Sequence, residues 1–280
     1  MNTAKPYKFY NLISKGKPSL NQQFEFGFGK KIVFLHGLGS SGRYWCETSR
    51  LLAGHYRTFS FDLLGFGESP KPSELDYFLW QQADALRQGL WDRRIWGRVN
   101  IVGHSLGGLV ALEFAKRYPK KVSCLVLSNI PVILQRSEHQ RVEKNYALIY
   151  ELLKNELHRK GLKTVRSSKV IQHKILPRYA KTKLAQKVFS DYDLDHISRY
   201  AYNQSIKNSI ESQQTMQGLD KIKAPVYIVR ASKDRAVIKG NVSKLASHVA
   251  NSKIIDVVGG HQYPIQHAGG FAKIIIDNLH

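Results

Sequence analysis

The residue in this chain with the clearest capacity for chemistry is a serine between two glycines. Ser105 lies at the centre of the pentapeptide Gly-His-Ser-Leu-Gly, residues 103–107. A run rich in β-branched residues precedes it (99–102), and a run with the apolar spacing of a helix follows it (108–115). A sharp turn from strand to helix exposes a serine hydroxyl at a helix N-terminus, and flanking glycines remove Cβ clashes there. The pattern predicts that Ser105 is a nucleophile.

A serine nucleophile needs a base, and the base needs a group that orients it. His261 is the best candidate base among the 11 histidines, because two glycines connect it to a predicted strand at 253–258. His267, at the start of the predicted last helix, is the second candidate. His104 is adjacent to the serine, but the sharp turn should direct its side chain elsewhere. His36 ends a predicted strand, and we expect it to have a structural role.

The orienting carboxylate should also lie at the carboxyl end of a strand. Asp234 meets this condition because it follows the predicted strand 225–231, whereas Asp220 precedes the same strand. The strand after the serine helix ends at Asn129 without a carboxylate. The sequence therefore favours Asp234 as the third member of the site.

Backbone N–H groups are the candidates for stabilising a developing oxyanion. One is the N–H of Leu106, directly after the nucleophile. The other should come from the loop His-Gly-Leu-Gly at residues 36–39, most favourably from Leu38. Gly37 and His104, as neighbours of these groups, are candidates for bordering a substrate.

Predicted strands and helices alternate along most of the chain, which indicates a parallel sheet with helices on both faces. The predicted strands are 7–13, 24–28, 31–35, 56–61, 99–102, 122–128, 225–231 and 253–258, and the predicted helices are 45–52, 75–92, 108–115 and 271–279.

The alternation stops between about residues 131 and 218, a helix-like stretch with no comparable strand. We expect this stretch to form a cap over the carboxyl ends of the strands, where ligands of open α/β sheets bind. The predicted domains are a core of residues 1–130 and 219–280 and a cap of residues 131–218.

The composition is typical of a globular protein, but the charge is unusually positive. Of 280 residues, 42% are hydrophobic, and the formal net charge is +22. The sequence shows no apolar run that could span a bilayer, no signal-peptide pattern, and no disulfide or metal-ligand spacing of its two cysteines. We therefore expect a cytoplasmic protein. The charge fits a solvated surface, an acidic protein partner or anionic substrate, or an anionic membrane surface. No nucleic-acid-binding module is recognisable, so no specific nucleic acid is expected.

The chain resembles the serine-dependent branch of the α/β-hydrolase fold superfamily. The resemblance rests on five segments that occur in the same order as in the family. They are residues 36–39, Asp62 together with residues 65–69, and residues 103–108, 232–237 and 260–261. It implies an α/β fold with a mostly parallel central sheet, flanking helices and a helical cap inserted between strands six and seven. It also implies a triad of Ser105, Asp234 and His261, oxyanion-hole donors at Leu38 and Leu106, and no metal or organic cofactor.

The resemblance further implies a hydrolase that cleaves a small-molecule carboxylic ester, thioester or lactone through an acyl-enzyme intermediate. Tyr146 and Tyr150 in the cap are candidate substrate contacts. A basic cap would also suit a methyl esterase, similar to those of biotin synthesis, that acts on acyl chains held by an acidic acyl carrier protein. A C–C bond hydrolase and a ligand receptor without hydrolytic activity are further alternatives. The oligomeric state is left open.

Overall fold

A computed structural model describes residues 18–139 and 196–279, in which seven strands form one sheet. The strands are β1 Gln22–Phe26, β2 Lys30–Leu35, β3 Tyr56–Phe61, β4 Val99–His104, β5 Val122–Ser128, β6 Val226–Ala231 and β7 Ser252–Val257. Their order in the sheet is β1-β3-β2-β4-β5-β6-β7. β1 is antiparallel to β3, and the other pairings of these strands are parallel. The carboxyl ends of β2 to β7 therefore lie along one edge of the sheet.

Helices pack on both faces of this sheet. The helices of the described residues are α1 Cys46–Leu52, α2 Leu79–Asp92, α3 Leu106–Arg117, α4 Arg199–Gln204, α5 Lys239–Ser247, α6 Tyr263–Gln266 and α7 Ala268–Asn278. A π-helix, Ser205–Glu211, continues α4. Short 3₁₀ turns lie at Gly42–Trp45, Pro119–Lys121, Arg136–Glu138 and Leu219–Lys221.

Alternate residues of the central strands supply two separate cores, because successive side chains of a strand point to opposite faces. On β2, Val33 and Leu35 belong to the cluster that includes buried residues of α2, α3 and α5. Ile32 and Phe34 belong to the cluster that includes buried residues of α1 and α7. The near-continuous apolar runs in the sequence thus result from strands that are covered on both sides.

The predicted fold class, a mostly parallel sheet flanked by helices, is confirmed. Strands 56–61 and 122–128 have the predicted bounds. The strand predicted at 24–28 ends two residues early, because Gly27 and Gly29 adopt positive φ angles of 74° and 90° in the turn to β2. The helix predicted over 75–92 begins only at Leu79, because Tyr77 has a φ of 56° and a helix cannot pass through that conformation.

Most of the predicted cap, residues 140–195, lies outside the described residues, and so does the whole of the strand predicted at 7–13. Within the described residues the insertion falls between β5 and β6, which correspond to the sixth and seventh predicted strands, and it contributes α4 and the π-helix. The domain boundaries stay a prediction. In residues 18–139 and 196–279, no helix combines the length and the apolar character that crossing a bilayer requires.

A buried carboxylate, Asp62, holds together the loops at the carboxyl edge of β3. Its Oδ1 accepts the N–H of Gly42 at 2.6 Å. Its Oδ2 accepts the N–H of Glu68 at 2.8 Å and the side-chain amide of Gln23 at 2.6 Å. A Cβ at Gly67 would lie 2.3 Å from this carboxylate. The carboxylate and the glycine together fix the loop that borders the site.

Candidate functional site

Ser105 occupies a strained turn between β4 and α3. Its φ and ψ of 51° and −118° fall where residues with a side chain are rarely found. Its N–H donates to the carbonyl of Ser128 at 2.9 Å, and its own carbonyl accepts the N–H groups of Gly108 and Leu109 at 3.0 and 3.2 Å. The turn is thus held from β5 on one side and from the first turn of α3 on the other.

Glycine is required on both sides of this serine because the backbone passes too close for a side chain. A Cβ at Gly103 would lie 2.4 Å from the carbonyl oxygen of Gly107. A Cβ at Gly107 would lie 2.4 Å from the carbonyl oxygens of both Leu35 and His36. The glycine spacing seen in the sequence therefore follows from the packing of α3 against β4 and the end of β2.

The structure brings the three predicted residues Ser105, His261 and Asp234 into one hydrogen-bonded chain. The Ser105 Oγ lies 3.1 Å from His261 Nε2, and His261 Nδ1 lies 2.7 Å from Asp234 Oδ2. The other carboxylate oxygen accepts the N–H of Ala236 at 2.8 Å. The Asp234 side chain is 1% exposed and that of His261 is 18% exposed. A buried acceptor at Nδ1 keeps the imidazole proton there, so Nε2 is free to accept the serine proton.

Backbone N–H groups lie next to this serine. Leu106 is the first residue of α3, and within the described chain neither its N–H nor that of Leu38 donates to another protein group. A Cβ placed on Gly37 would lie 3.2 Å from the Cβ of Ser105, so the loop that carries Leu38 passes directly beside the serine. The role of both N–H groups as oxyanion donors stays a prediction.

Two further histidines surround the site without belonging to the hydrogen-bonded chain. The ring of His104 is stacked on Tyr44 at 5.0 Å and lies 4.8 Å from the ring of His261. Burial lowers the pKa of His104 well below its usual value, and the proximity of His261 lowers it further. The His104 ring is therefore neutral at pH 7. His36 has the predicted structural placement, because its Nε2 accepts the N–H of Leu63 at 2.9 Å.

The other predicted residues lie apart from this arrangement or outside the described chain. His267, the second candidate base, precedes α7, and its ring lies 4.9 Å from that of Tyr263. It makes no hydrogen bond to Ser105 in the described structure. Tyr146 and Tyr150 are outside the described residues. Substrate contacts by Gly37, His104 and the two tyrosines stay predictions.

Asn129 is a residue of the site that sequence reasoning missed, because it was considered only as a position without a carboxylate. Its Oδ1 accepts the N–H of Ala231 at 3.0 Å, and its Nδ2 donates to the carbonyls of Gly260 and His261 at 3.2 and 2.7 Å. It thereby joins the ends of β5 and β6 to the loop that carries the candidate base. Its φ of 52° is positive, and asparagine adopts positive φ angles more often than most other residues with a side chain.

Comparison with known proteins gives the same fold. A family model described as "alpha/beta hydrolase fold" matches residues 30–268. A protein of Escherichia coli provisionally named carbamate hydrolase RutD is 26% identical over 251 residues, which cover 89% of this chain and 86% of that protein. An enol-lactonase from Burkholderia xenovorans LB400 has a similar structure, with a TM-score of 0.68, 21% identity and coverage of 92% of this chain and 95% of that one. An esterase from Exiguobacterium antarcticum has a TM-score of 0.70, 20% identity and coverage of 91% and 93%. The family match includes the elements that carry Ser105, Asp234 and His261.

Proposed function

The chain belongs to the α/β hydrolase fold family, and from this premise we propose that it is a serine hydrolase that cleaves a carboxylic ester, thioester or lactone. The observation that carries the proposal is the chain of hydrogen bonds from Ser105 through His261 to Asp234, at 3.1 and 2.7 Å. The names of the similar proteins, which include an esterase and an enol-lactonase, support this substrate class.

The proposed reaction begins with attack of the Ser105 Oγ on the substrate carbonyl carbon. His261 Nε2 takes the serine proton, and the Asp234 carboxylate stabilises the charged imidazole. The N–H groups of Leu38 and Leu106 donate to the oxyanion of the tetrahedral intermediate. His261 then protonates the leaving group, and an acyl ester of Ser105 remains. Water, activated by the same ring, attacks this ester, and the carboxylic acid product leaves.

Cleavage of a carbamate is a second candidate function. The relative named carbamate hydrolase RutD, which is 26% identical over 251 residues, favours it. A carbamate presents a carbonyl carbon to the same nucleophile and an oxyanion to the same N–H groups. The test compares kcat/KM for a phenyl carbamate and a phenyl ester of the same acyl length, each divided by the rate constant of its uncatalysed hydrolysis, because carbamates are intrinsically less reactive. The true substrate class should have the larger ratio.

The direct test of the main proposal is covalent labelling of the serine. A fluorophosphonate probe should label the wild type and should fail to label Ser105→Ala. Ser128→Ala is the matched control, because Ser128 is buried at the end of the neighbouring strand and its hydroxyl has no hydrogen-bond partner among the described residues. Hydrolysis of p-nitrophenyl esters of increasing acyl length would then measure the size of the acyl pocket.

Two results would contradict the proposal. One is a folded wild type that the probe does not label, which would favour a ligand receptor without hydrolytic activity. The other is equal labelling of the wild type and Ser105→Ala, which would show that another residue reacts.

Asn129 is expected to act as a positioning residue for His261. In Asn129→Asp the side chain can no longer donate to the carbonyls of Gly260 and His261, and its charge repels both oxygens. We expect kcat for a p-nitrophenyl ester to fall about 10²-fold with little change in KM, because the base is displaced while substrate binding is not. Asn100→Asp is the control, since the Asn100 amide also donates to a strand carbonyl, that of Lys31, but away from the site. Equal kcat values for the two variants would contradict this role.

A further inference from the structure

The amino ends of the parallel strands form the edge of the sheet opposite Ser105. β4 connects the two edges, since Arg98 precedes its first residue and Ser105 follows its last. Six strand residues at about 3.3 Å each place these edges about 20 Å apart. We call this end of the molecule the basic edge and define it by the following residues: Phe28, Lys30, Lys31, Leu51, Trp91, Arg94, Trp96, Arg98, Lys120 and Lys121.

Most of the exposed apolar side chains of the described residues lie at the basic edge. Six large hydrophobic side chains are exposed among the described residues, and four of these six belong to the basic edge. Trp91 and Trp96 are 63% and 46% exposed, and their rings meet edge to face at 4.6 Å. Phe28 lies in the turn before β2, and Leu51 lies near the end of α1, next to the start of β3. Two adjacent exposed indoles are unusual on a surface that meets only water.

Exposed cations lie at the same edge of the sheet as these apolar side chains. Lys30, Arg94, Lys120 and Lys121 form no ion pair with a carboxylate of residues 18–139 and 196–279. Each of them is exposed. Their charges are therefore available to an external anion.

Trp91 lies in the last turn of α2, and the segment between α2 and β4, which carries Trp96, is fixed to the sheet by other cations. Lys31 Nζ donates to the carbonyl of Trp96 at 2.8 Å. Arg98 donates twice to the carbonyl of Val122, at 3.1 and 2.9 Å. A cleft of about 360 Å³ opens beside both indoles, and it is bordered by Arg87, by Lys121 and by the Asp84 carboxylate, which is paired with Arg117. The edge is thus a preformed surface that combines indole rings with unpaired positive charge.

We propose that the basic edge docks on the surface of an anionic lipid bilayer. Indole rings favour the boundary between an apolar and an aqueous phase, and lysine and arginine at the same level bind acidic headgroups. Trp91 and Trp96 enter the interfacial layer, and the exposed cations of the basic edge bind the headgroup phosphates. The opposite edge, with Ser105, then faces the aqueous phase.

The geometry favours a bilayer over single-stranded nucleic acid. Binding of successive bases requires aromatic faces that are free to stack in parallel. The two indoles are instead nearly perpendicular, at 88°, and contact each other. The pair cannot stack on successive bases, whereas both rings remain exposed to enter an interfacial layer.

The test is binding to vesicles of phosphatidylcholine alone and of phosphatidylcholine with about 30% phosphatidylglycerol. The full chain should sediment with the anionic vesicles at least about tenfold more tightly than with the neutral ones, and about 0.5 M NaCl should release it. Its tryptophan emission should shift to shorter wavelength on binding. The double variant W91S/W96S should bind the anionic vesicles at least about tenfold more weakly and should lose the emission shift.

Val258→Ser is the matched control, because Val258 is 75% exposed but lies at the opposite edge of the sheet. It should bind the anionic vesicles as the wild type does. Ester hydrolysis in solution should be unchanged in W91S/W96S, so the test is independent of the proposed catalytic function. Equal binding of both vesicle types, or equal anionic binding by W91S/W96S and Val258→Ser, would overturn the proposal. Binding of a single-stranded oligonucleotide without binding to anionic vesicles would also overturn it.

Discussion

Replacement of Asp234 by asparagine is expected to lower kcat for ester hydrolysis by about 10⁴-fold, with little effect on KM or folding. The reason lies in the two oxygens of this carboxylate. One accepts the N–H of Ala236, and the other accepts the Nδ1–H of His261. An asparagine has only one oxygen. If this oxygen keeps the bond to Ala236, the NH₂ group faces Nδ1 and drives the imidazole proton to Nε2. The ring then cannot accept the proton of Ser105.

The kinetic comparison needs a carboxylate whose loss should not matter. Asp256, at the end of β7, is such a control, because its ion pair with Arg230 at 2.7 Å lies on the surface and its side chain is 61% exposed. Asp256→Asn should keep kcat within about twofold of the wild type, since exposed ion pairs contribute little. If Asp234→Asn lost less than about tenfold in kcat, Asp234 would not be the orienting group, and the proposed mechanism would need another acid.

The sequence was most informative where local physical constraints coincide with chemistry. The turn at Ser105 requires glycine at fixed positions, an apolar strand before it and a helix after it, and all three constraints are visible in neighbouring residues. His261 and Asp234 are distant in sequence from the serine. They could still be predicted, because the carboxyl ends of parallel strands meet at one edge whatever the order of the strands. The fold class could be predicted from the alternation of strand-like and helix-like segments along the chain.

Features that depend on the order of strands could not be read from the sequence. The three contacts of the Asn129 side chain join it to residues 102 to 132 positions away, and no local pattern marks them. The stacking of His104 on Tyr44 requires the register of β4 against the loop after β2. The basic edge is a similar case, since its lysines and arginines look evenly spread along the chain. They converge only because each precedes or begins a neighbouring parallel strand. The φ of Tyr77, which delays α2, belongs to a residue type that gives no local sign of it.

Gly107, two residues after the nucleophile, offers a test of how closely the reaction depends on the packing of α3 against the end of β2. In Gly107→Ala the new methyl group would lie 2.4 Å from the carbonyl oxygens of Leu35 and His36, which are backbone atoms at the end of β2. Neither oxygen belongs to a flexible side chain, so α3 has to move away from β2. Because Ser105 is at the first turn of α3, its Oγ moves with the helix. A displacement of about 1 Å is enough to reduce kcat by about 10²-fold.

The control for this variant is Gly240→Ala. Gly240 lies in α5, and a Cβ there would meet nothing within 4 Å. Alanine should leave kcat unchanged and raise the melting temperature slightly, because it restricts the unfolded chain and favours a helix. Gly107→Ala should melt several degrees lower than the wild type and should react about 10²-fold more slowly with a fluorophosphonate. A Gly107→Ala variant with a lowered melting temperature but the wild-type labelling rate would show that the turn holds Ser105 in place independently of α3. The requirement for glycine at position 107 would then be one of stability alone.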